Sequence, residues 1–196
     1  MDSLTQAVLG ATIQGVGMGR YQGRKALLYG AMLGTLPDLD VLIRYADPVS
    51  SMTYHRGFTH SLFVLPLLAL VLAWLIKKRW PHSAYGFGRL YATLCLVLVT
   101  HPILDAFTVY GTQLWWPLTP TPQQWSGVFI IDPLYTLPML AACVYALATR
   151  MSVAAQKALA ATLLWGCIYL AWGTYGQYHH QQRVQAALAQ QGIAVK

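Results

Sequence analysis

His101 and Asp105 stand four residues apart in a strongly apolar stretch, so on a helix their side chains share one face and can reach a single ion. The bland alternative is a helix-end pair bonded to nearby backbone. Charge in an apolar run is costly unless it is paired, neutralised or bound, and that favours ligation. Asp38 and Asp40 follow Pro37, which interrupts a helix and lets alternate residues turn toward one point. Capping would account for one of these aspartates and leave the other unexplained. His55 and His60 are five apart, a poor spacing for one helical face, but Gly57 between them permits a turn that brings both imidazoles inward. Arg56 offers a planar donor to a phosphate or carboxylate oxygen, or else balances a nearby aspartate. Thr59 and Ser61 are placed to cap the helix that follows. Asp2 and Asp132, the latter just before Pro133, read either as helix caps or as groups supporting the ligands. His82, His179, His180 and Asp47 fall in polar connections and read as solvated.

The elements that must position these groups are apolar. The chain has 196 residues, is 56% hydrophobic and only 10% charged, and has a mean hydropathy of +0.44, far from the balance of a soluble domain. An all-α, polytopic helical membrane bundle of about six segments follows, as one domain over residues 1–178 with a polar tail at 179–196. Four stretches, at about 60–76, 90–109, 132–149 and 158–176, approach the length of a span. Residues 3–19 carry glycines, threonines and glutamines, and 26–45 breaks at Pro37, so either could be a half-helix or a re-entrant piece packed inside the bundle. An uncharged stretch rich in Pro, Thr and Trp runs from about 111 to 131. Cys95, Cys143 and Cys167 are isolated in apolar segments and form neither a disulfide frame nor a zinc cluster. The N-terminus lacks the basic region of a cleaved signal peptide. The net charge of +7 is scattered in small groups and makes no stripe for nucleic acid.

Nine of the 13 basic residues, Arg20, Arg24, Lys25, Lys77, Lys78, Arg79, Arg89, Arg150 and Lys157, fall in alternate connections and are expected on the cytoplasmic side, with both termini outward. At the helical rise, Asp38 and Asp40 lie roughly 20 to 22 Å from Lys25, and His101 and Asp105 roughly 18 and 24 Å from Arg89. His60, Asp132 and Asp2 lie roughly 26 to 27 Å from their nearest basic neighbours, so five segments deliver polar groups to the outer leaflet of a core about 30 Å thick.

The ordered set Met1-Asp2-Ser3-Leu4-Thr5-Gln6, Leu36-Pro37-Asp38-Leu39-Asp40, His55-Arg56-Gly57-Phe58-Thr59-His60-Ser61, His101-Pro102-Ile103-Leu104-Asp105 and Asp132-Pro133-Leu134-Tyr135 resembles the bacterial YdjM/YbcI/YfhP-type membrane proteins described as metal-dependent hydrolases. The likeness covers about residues 1 to 140 in register. That family is distantly similar to zinc-dependent phospholipase C and to the single-strand nucleases of the same helical fold. The resemblance implies His101 and Asp105 as one ligand pair, an aspartate of the Asp38/Asp40 pair as a bridging ligand, and His55 and His60 as further ligands. Many relatives carry a Thr-His pair near the start, where this chain has Thr5-Gln6, and an amide is a poorer transition-metal ligand than imidazole.

The expectation is a hydrolase of the bacterial inner membrane, in which Asp38, Asp40, His55, His60, His101 and Asp105 hold one or more zinc-like divalent ions. A metal-activated water would attack a phosphoester or ester at the outer face, with Arg56 and Asp40 in the catalytic machinery and Asp2, Ser61 and Asp132 in support. The depth of the site points to a membrane lipid or lipid-linked substrate. Two other readings stay open: a cation or proton transporter using the same cluster, and a non-catalytic protein with a structural metal. No convincing internal repeat or midplane site supports the transporter.

Overall fold

The structure is a computed structural model that describes residues 2–42, 56–119 and 121–191, so His55 and Asp47 lie outside the described residues. It is all-α as expected, 73% helical, with six α-helices and no strand among the described residues. The helices are α1 (Ser3–Gln22), α2 (Lys25–Gly34), α3 (Val64–Arg79), α4 (Phe87–Ala106), α5 (Pro133–Ala148) and α6 (Val153–Gln190). Two of them, α4 and α6, are long and apolar enough to cross a membrane, and α5 is a shorter apolar helix.

Where the sequence suggested a partial N-terminal element, α1 is a full 20-residue helix that packs inside the bundle, with 12 residues buried. Its Thr hydroxyls and Gln amide nitrogens do not oppose this, because they find partners inside the bundle. The Thr12 hydroxyl donates to the Val8 carbonyl at 2.7 Å, and the Thr5 and Thr136 hydroxyls meet at 2.8 Å. α1 touches α2, α4, α5 and α6 and separates two cores. One is built on Val8, Leu9, Tyr135, Met139 and Leu159, the other on Met18, Ala26, Leu65, Leu90, Leu94 and Leu98. The three cysteines are free, as the sequence implied.

Gly23, at φ 57°, turns the chain sharply into α2, which returns alongside α1 at backbone distance. A Cβ on Gly30 would collide with the Gly10 carbonyl, and one on Gly34 would lie 2.5 Å from the Gln6 carbonyl oxygen. Small residues four apart are what allow two helix backbones to approach this closely. Pro37 then stops the helix as predicted, and a 3-10 helix, Pro37–Leu42, carries Asp38 and Asp40. A second one, Phe58–His60, leads into α3.

The apolar stretch read at about 60–76 becomes helical only at Val64 and runs on to Arg79, 16 residues in all. α6 continues through the polar stretch after residue 178 to Gln190, since its glutamines, alanines and leucine are good helix formers whether or not they are buried. The connection 107–131 folds back across the end of the bundle that holds Asp38 and His60. There the Leu62 amide donates to the Leu114 carbonyl, and the Gln113 amide to the Arg56 carbonyl.

Asp2 and Asp132 are N-caps. Asp2 accepts from the Thr5 amide at 3.0 Å and the Thr5 hydroxyl at 2.6 Å. Asp132 accepts from the amides of Leu134 and Tyr135 through one oxygen and from the Tyr169 hydroxyl, 2.8 Å away, through the other. It thereby ties the start of α5 to the middle of α6. Asp132→Ala is expected to lower stability by about 1 to 2 kcal/mol, because cap and cross-helix bond are lost together. A thermal melt in detergent in which Asp132→Ala and wild type coincide would show the cap to be dispensable.

Candidate metal centre

Four side chains from three elements converge at one end of the bundle: Asp38 from the first 3-10 helix, His60 from the second, and His101 and Asp105 from α4. One donor atom from each lies within 4.8 Å of the others. His60, His101 and Asp105 are buried, while the Asp38 side chain keeps 22% of its exposure and marks the accessible edge. The i, i+4 pair on α4 faces inward because Leu90, Leu94 and Leu98 on the same stripe form the core below it.

The His101 Nε2 lies 3.2 Å from His60 Nε2 and 3.2 Å from Asp38 Oδ1. His60 Nε2 is 3.7 Å from Asp38 Oδ1 and 3.6 Å from Asp105 Oδ2, and His101 Nε2 is 3.9 Å from that same Asp105 oxygen. A zinc tetrahedron with arms of about 2.0–2.1 Å has edges of about 3.3 Å. Five of the six donor–donor distances, 3.2 to 3.9 Å, lie near that edge, and the sixth is no longer than 4.8 Å.

Hydrogen bonds on the far side of each ring fix what the inner nitrogens offer. His101 Nδ1 sits 2.6 Å from the Gly34 carbonyl, which can only accept, so Nδ1 carries the proton. His60 Nδ1 is 2.9 Å from the Thr59 hydroxyl, whose own proton goes to Asp40 Oδ2 at 2.7 Å, so Nδ1 donates here as well. In the neutral rings both Nε2 atoms then present lone pairs to each other and to two carboxylate oxygens. Four converging acceptors repel one another unless a metal ion, or a proton on one imidazole, lies between them, and this group could hold a metal ion. A donor bond from the outer nitrogen of a ligating His to carbonyl or carboxylate is the usual companion of such ligation.

The remaining candidates fall around this core. Asp40 lies behind His60, its Oδ2 3.7 Å from His60 Nδ1, and accepts from Thr59 and from the Arg56 amide at 3.2 Å; it is not among the four clustered donors. Thr59 thus orients the ring of His60 and does not cap α3. Ser61 does serve α3, accepting from the Phe63 and Val64 amides at 3.1 and 3.4 Å and donating to the Trp116 carbonyl at 2.6 Å.

Arg56, not Gly57, adopts the left-handed backbone, with φ 64°. Such a conformation is uncommon for a residue with a side chain, and here the bonds of its amide and carbonyl to Asp40 and Gln113 hold it in place. Its Nε lies 3.6 Å from Asp105 Oδ2, its guanidinium stands over the Tyr110 ring at 5.7 Å, and its buried Nη1 has no hydrogen-bond partner among the described residues.

The resemblance put Gln6 at a position where many relatives carry histidine, and the structure places it against the centre, bonded to two of its residues. It is 1% exposed, and its amide nitrogen donates to Asp105 Oδ1 at 3.0 Å and to the His101 carbonyl at 3.2 Å. The available signal was an amide in an apolar helix, at the position where many relatives carry histidine.

Over 107 residues, 52% of this chain and 58% of the relative, the chain is 36% identical to the Inner membrane protein YbcI of Escherichia coli (strain K12). Over 152 residues, 72% of this chain and 45% of the relative, it is 27% identical to the Uncharacterized protein YfhP of Bacillus subtilis (strain 168). The chain thus spans about half the length of the curated relatives it matches. No solved structure matches. The model of the YdjM inner membrane protein family matches residues 1–180, every described element of the centre included, and the chain belongs to that family.

Proposed function

We propose that the protein is a multi-pass inner-membrane hydrolase whose Asp38, His60, His101 and Asp105 hold a zinc-like divalent cation. The observation that carries this reading is the convergence of four acceptor atoms within 4.8 Å of one another, with both histidine protons turned outward. Such a cation would lower the pKa of a coordinated water toward about 7, supplying a nucleophile at neutral pH. Arg56 brings its buried Nη1, which has no hydrogen-bond partner among the described residues, to the edge of the cluster, suited to the charge that develops on a phosphoester or ester oxygen. Asp40 keeps His60 oriented through Thr59.

Lys77, Lys78 and Arg79 end α3 and Arg20 ends α1, at the end of the bundle remote from the cluster. By the positive-inside rule the centre then faces the outer leaflet, within reach of lipid or lipid-linked esters. A second reading has support in the four protein donors themselves, since a fully protein-ligated zinc is the usual structural arrangement. Asp38, partly exposed, is the ligand whose displacement would separate the two.

The test is metal analysis of the purified chain with a panel of lipid phosphoesters, beside Arg56→Gln. Wild type should carry stoichiometric metal and turn over at least one substrate. Arg56→Gln should keep the metal and lose about 100-fold or more in kcat, the scale for removing one oxyanion donor. A chain without metal sinks the reading, and metal with no turnover on the panel leaves the structural site in its place.

A further inference from the structure

Beyond the metal centre, a cavity of about 920 Å³ opens at the other end of the bundle, between the end of α1, the start of α2, the end of α3 and the 80–86 connection. Its floor is apolar, with Leu33, Ile76, Leu90 and Leu94, and its mouth carries Lys25, Arg79 and His82. All six acidic residues of the chain are aspartates, at 2, 38, 40, 47, 105 and 132, and the described residues that line the cavity fall within 14–33 and 76–94. Among the described residues the cations therefore have no acidic partner in the wall, and the Arg79 guanidinium stands over the Trp80 ring at 5.2 Å. Neighbouring Lys77 is occupied with the loop, donating to the Pro81 and Tyr85 carbonyls and the Ser83 hydroxyl, and Arg89 stands over the Tyr21 ring at 5.6 Å.

Deeper inside, Gln14 is 1% exposed. Its amide nitrogen donates to Gln22 Oε1 at 3.2 Å, while its own Oε1 is buried in the wall without a hydrogen-bond partner among the described residues. A buried acceptor left alone is destabilising, so its persistence asks for a donor from a guest.

We propose that this cavity binds an anionic amphiphile whose phosphate head also bears a hydroxyl. Lys25, Arg79 and His82 take the phosphate, Gln14 accepts from the hydroxyl, and the Leu33, Ile76, Leu90 and Leu94 floor takes the start of an acyl chain. A free phosphate would meet the cations but leave the floor and Gln14 without a partner, which is why a lipid is the better fit.

The full chain in detergent can be titrated with phosphatidylglycerol, phosphatidylcholine and sn-glycerol 3-phosphate, with binding read by native mass spectrometry and thermal shift. Phosphatidylglycerol should bind best. The Lys25→Gln/Arg79→Gln double variant, altered only at exposed positions, should bind it roughly tenfold more weakly. Gln14→Met should weaken phosphatidylglycerol without changing the weak response to the soluble phosphate. Equal binding of phosphatidylglycerol by wild type and the double variant overturns the proposal, as does no preference over phosphatidylcholine. Glycerol phosphate binding as tightly as the lipid overturns the amphiphile in favour of a soluble ligand. Single Arg79→Gln carries the same comparison if the double variant does not fold.

Discussion

Purified His101→Ala is expected to carry no tightly bound metal and to lose any hydrolytic turnover, with its helical content unchanged. His101 Nε2 is the hub of the cluster, 3.2 Å from both His60 Nε2 and Asp38 Oδ1, so its removal takes away one donor and opens space at the centre. Loss of an outer-shell partner of a ligand typically costs about 10- to 100-fold in metal affinity, and loss of the ligand itself should exceed that. The helix should survive, because Leu94, Leu98 and Leu104 keep α4 in place and Ala is a strong helix former. Metal content by mass spectrometry beside far-UV circular dichroism separates the two effects. Thr59→Val gives an internal scale: it leaves all four donors present but frees the ring of His60, so it should fall in the intermediate range. Wild-type metal content in His101→Ala would place the ion elsewhere.

Gly30→Val should have the largest effect on folding. Its new side chain would meet the Gly10 carbonyl and the Gln14 Cβ, and neither can move away, since one is helix backbone and the other is fixed to it. Overpacking of a well-packed interior costs about 1 to 3 kcal/mol when side chains can adjust and more when backbone must move. As α2 also supplies the Gly34 carbonyl that His101 donates to, the damage should reach the metal centre as well. Gly88→Ala is the control, because a Cβ there meets nothing within 4 Å. Gly30→Val should give aggregated or unfolded protein in detergent while Gly88→Ala elutes and melts like wild type. A well-behaved Gly30→Val protein with normal metal content would refute the idea that backbone contact between α1 and α2 sets the centre.

The periodic parts of this arrangement were legible in the residues alone. The i, i+4 spacing of His101 and Asp105, the break at Pro37 and the Asp132-Pro133 helix start each have a local physical cause, and the structure has each of them. What was not legible depends on partners remote in sequence or on backbone atoms. The carbonyl that fixes His101 belongs to a glycine 67 residues away. Thr59 looked like a cap because threonine before an apolar run usually is one; the approach of Asp40, 19 residues earlier, redirects its hydroxyl. α1 looked too polar to be a complete helix inside an apolar bundle. Only the tertiary contacts of Thr5 and Gln6 show why it can be its innermost element.

The amide of Gln6 bears on which ion the proposed metal site would suit. By donating to Asp105 Oδ1 it draws that oxygen's charge toward α1 and leaves Oδ2 as the oxygen facing His60 and His101. Were a metal ion held by the four side chains, Asp105 would offer it Oδ2 alone, beside the two imidazole nitrogens and Asp38. Calcium, which gathers about six to eight oxygens and often a bidentate carboxylate, is poorly served by such a set. A small ion content with four mixed N and O donors is well served. An amide that need not touch the ion would in this way act as a filter on coordination number.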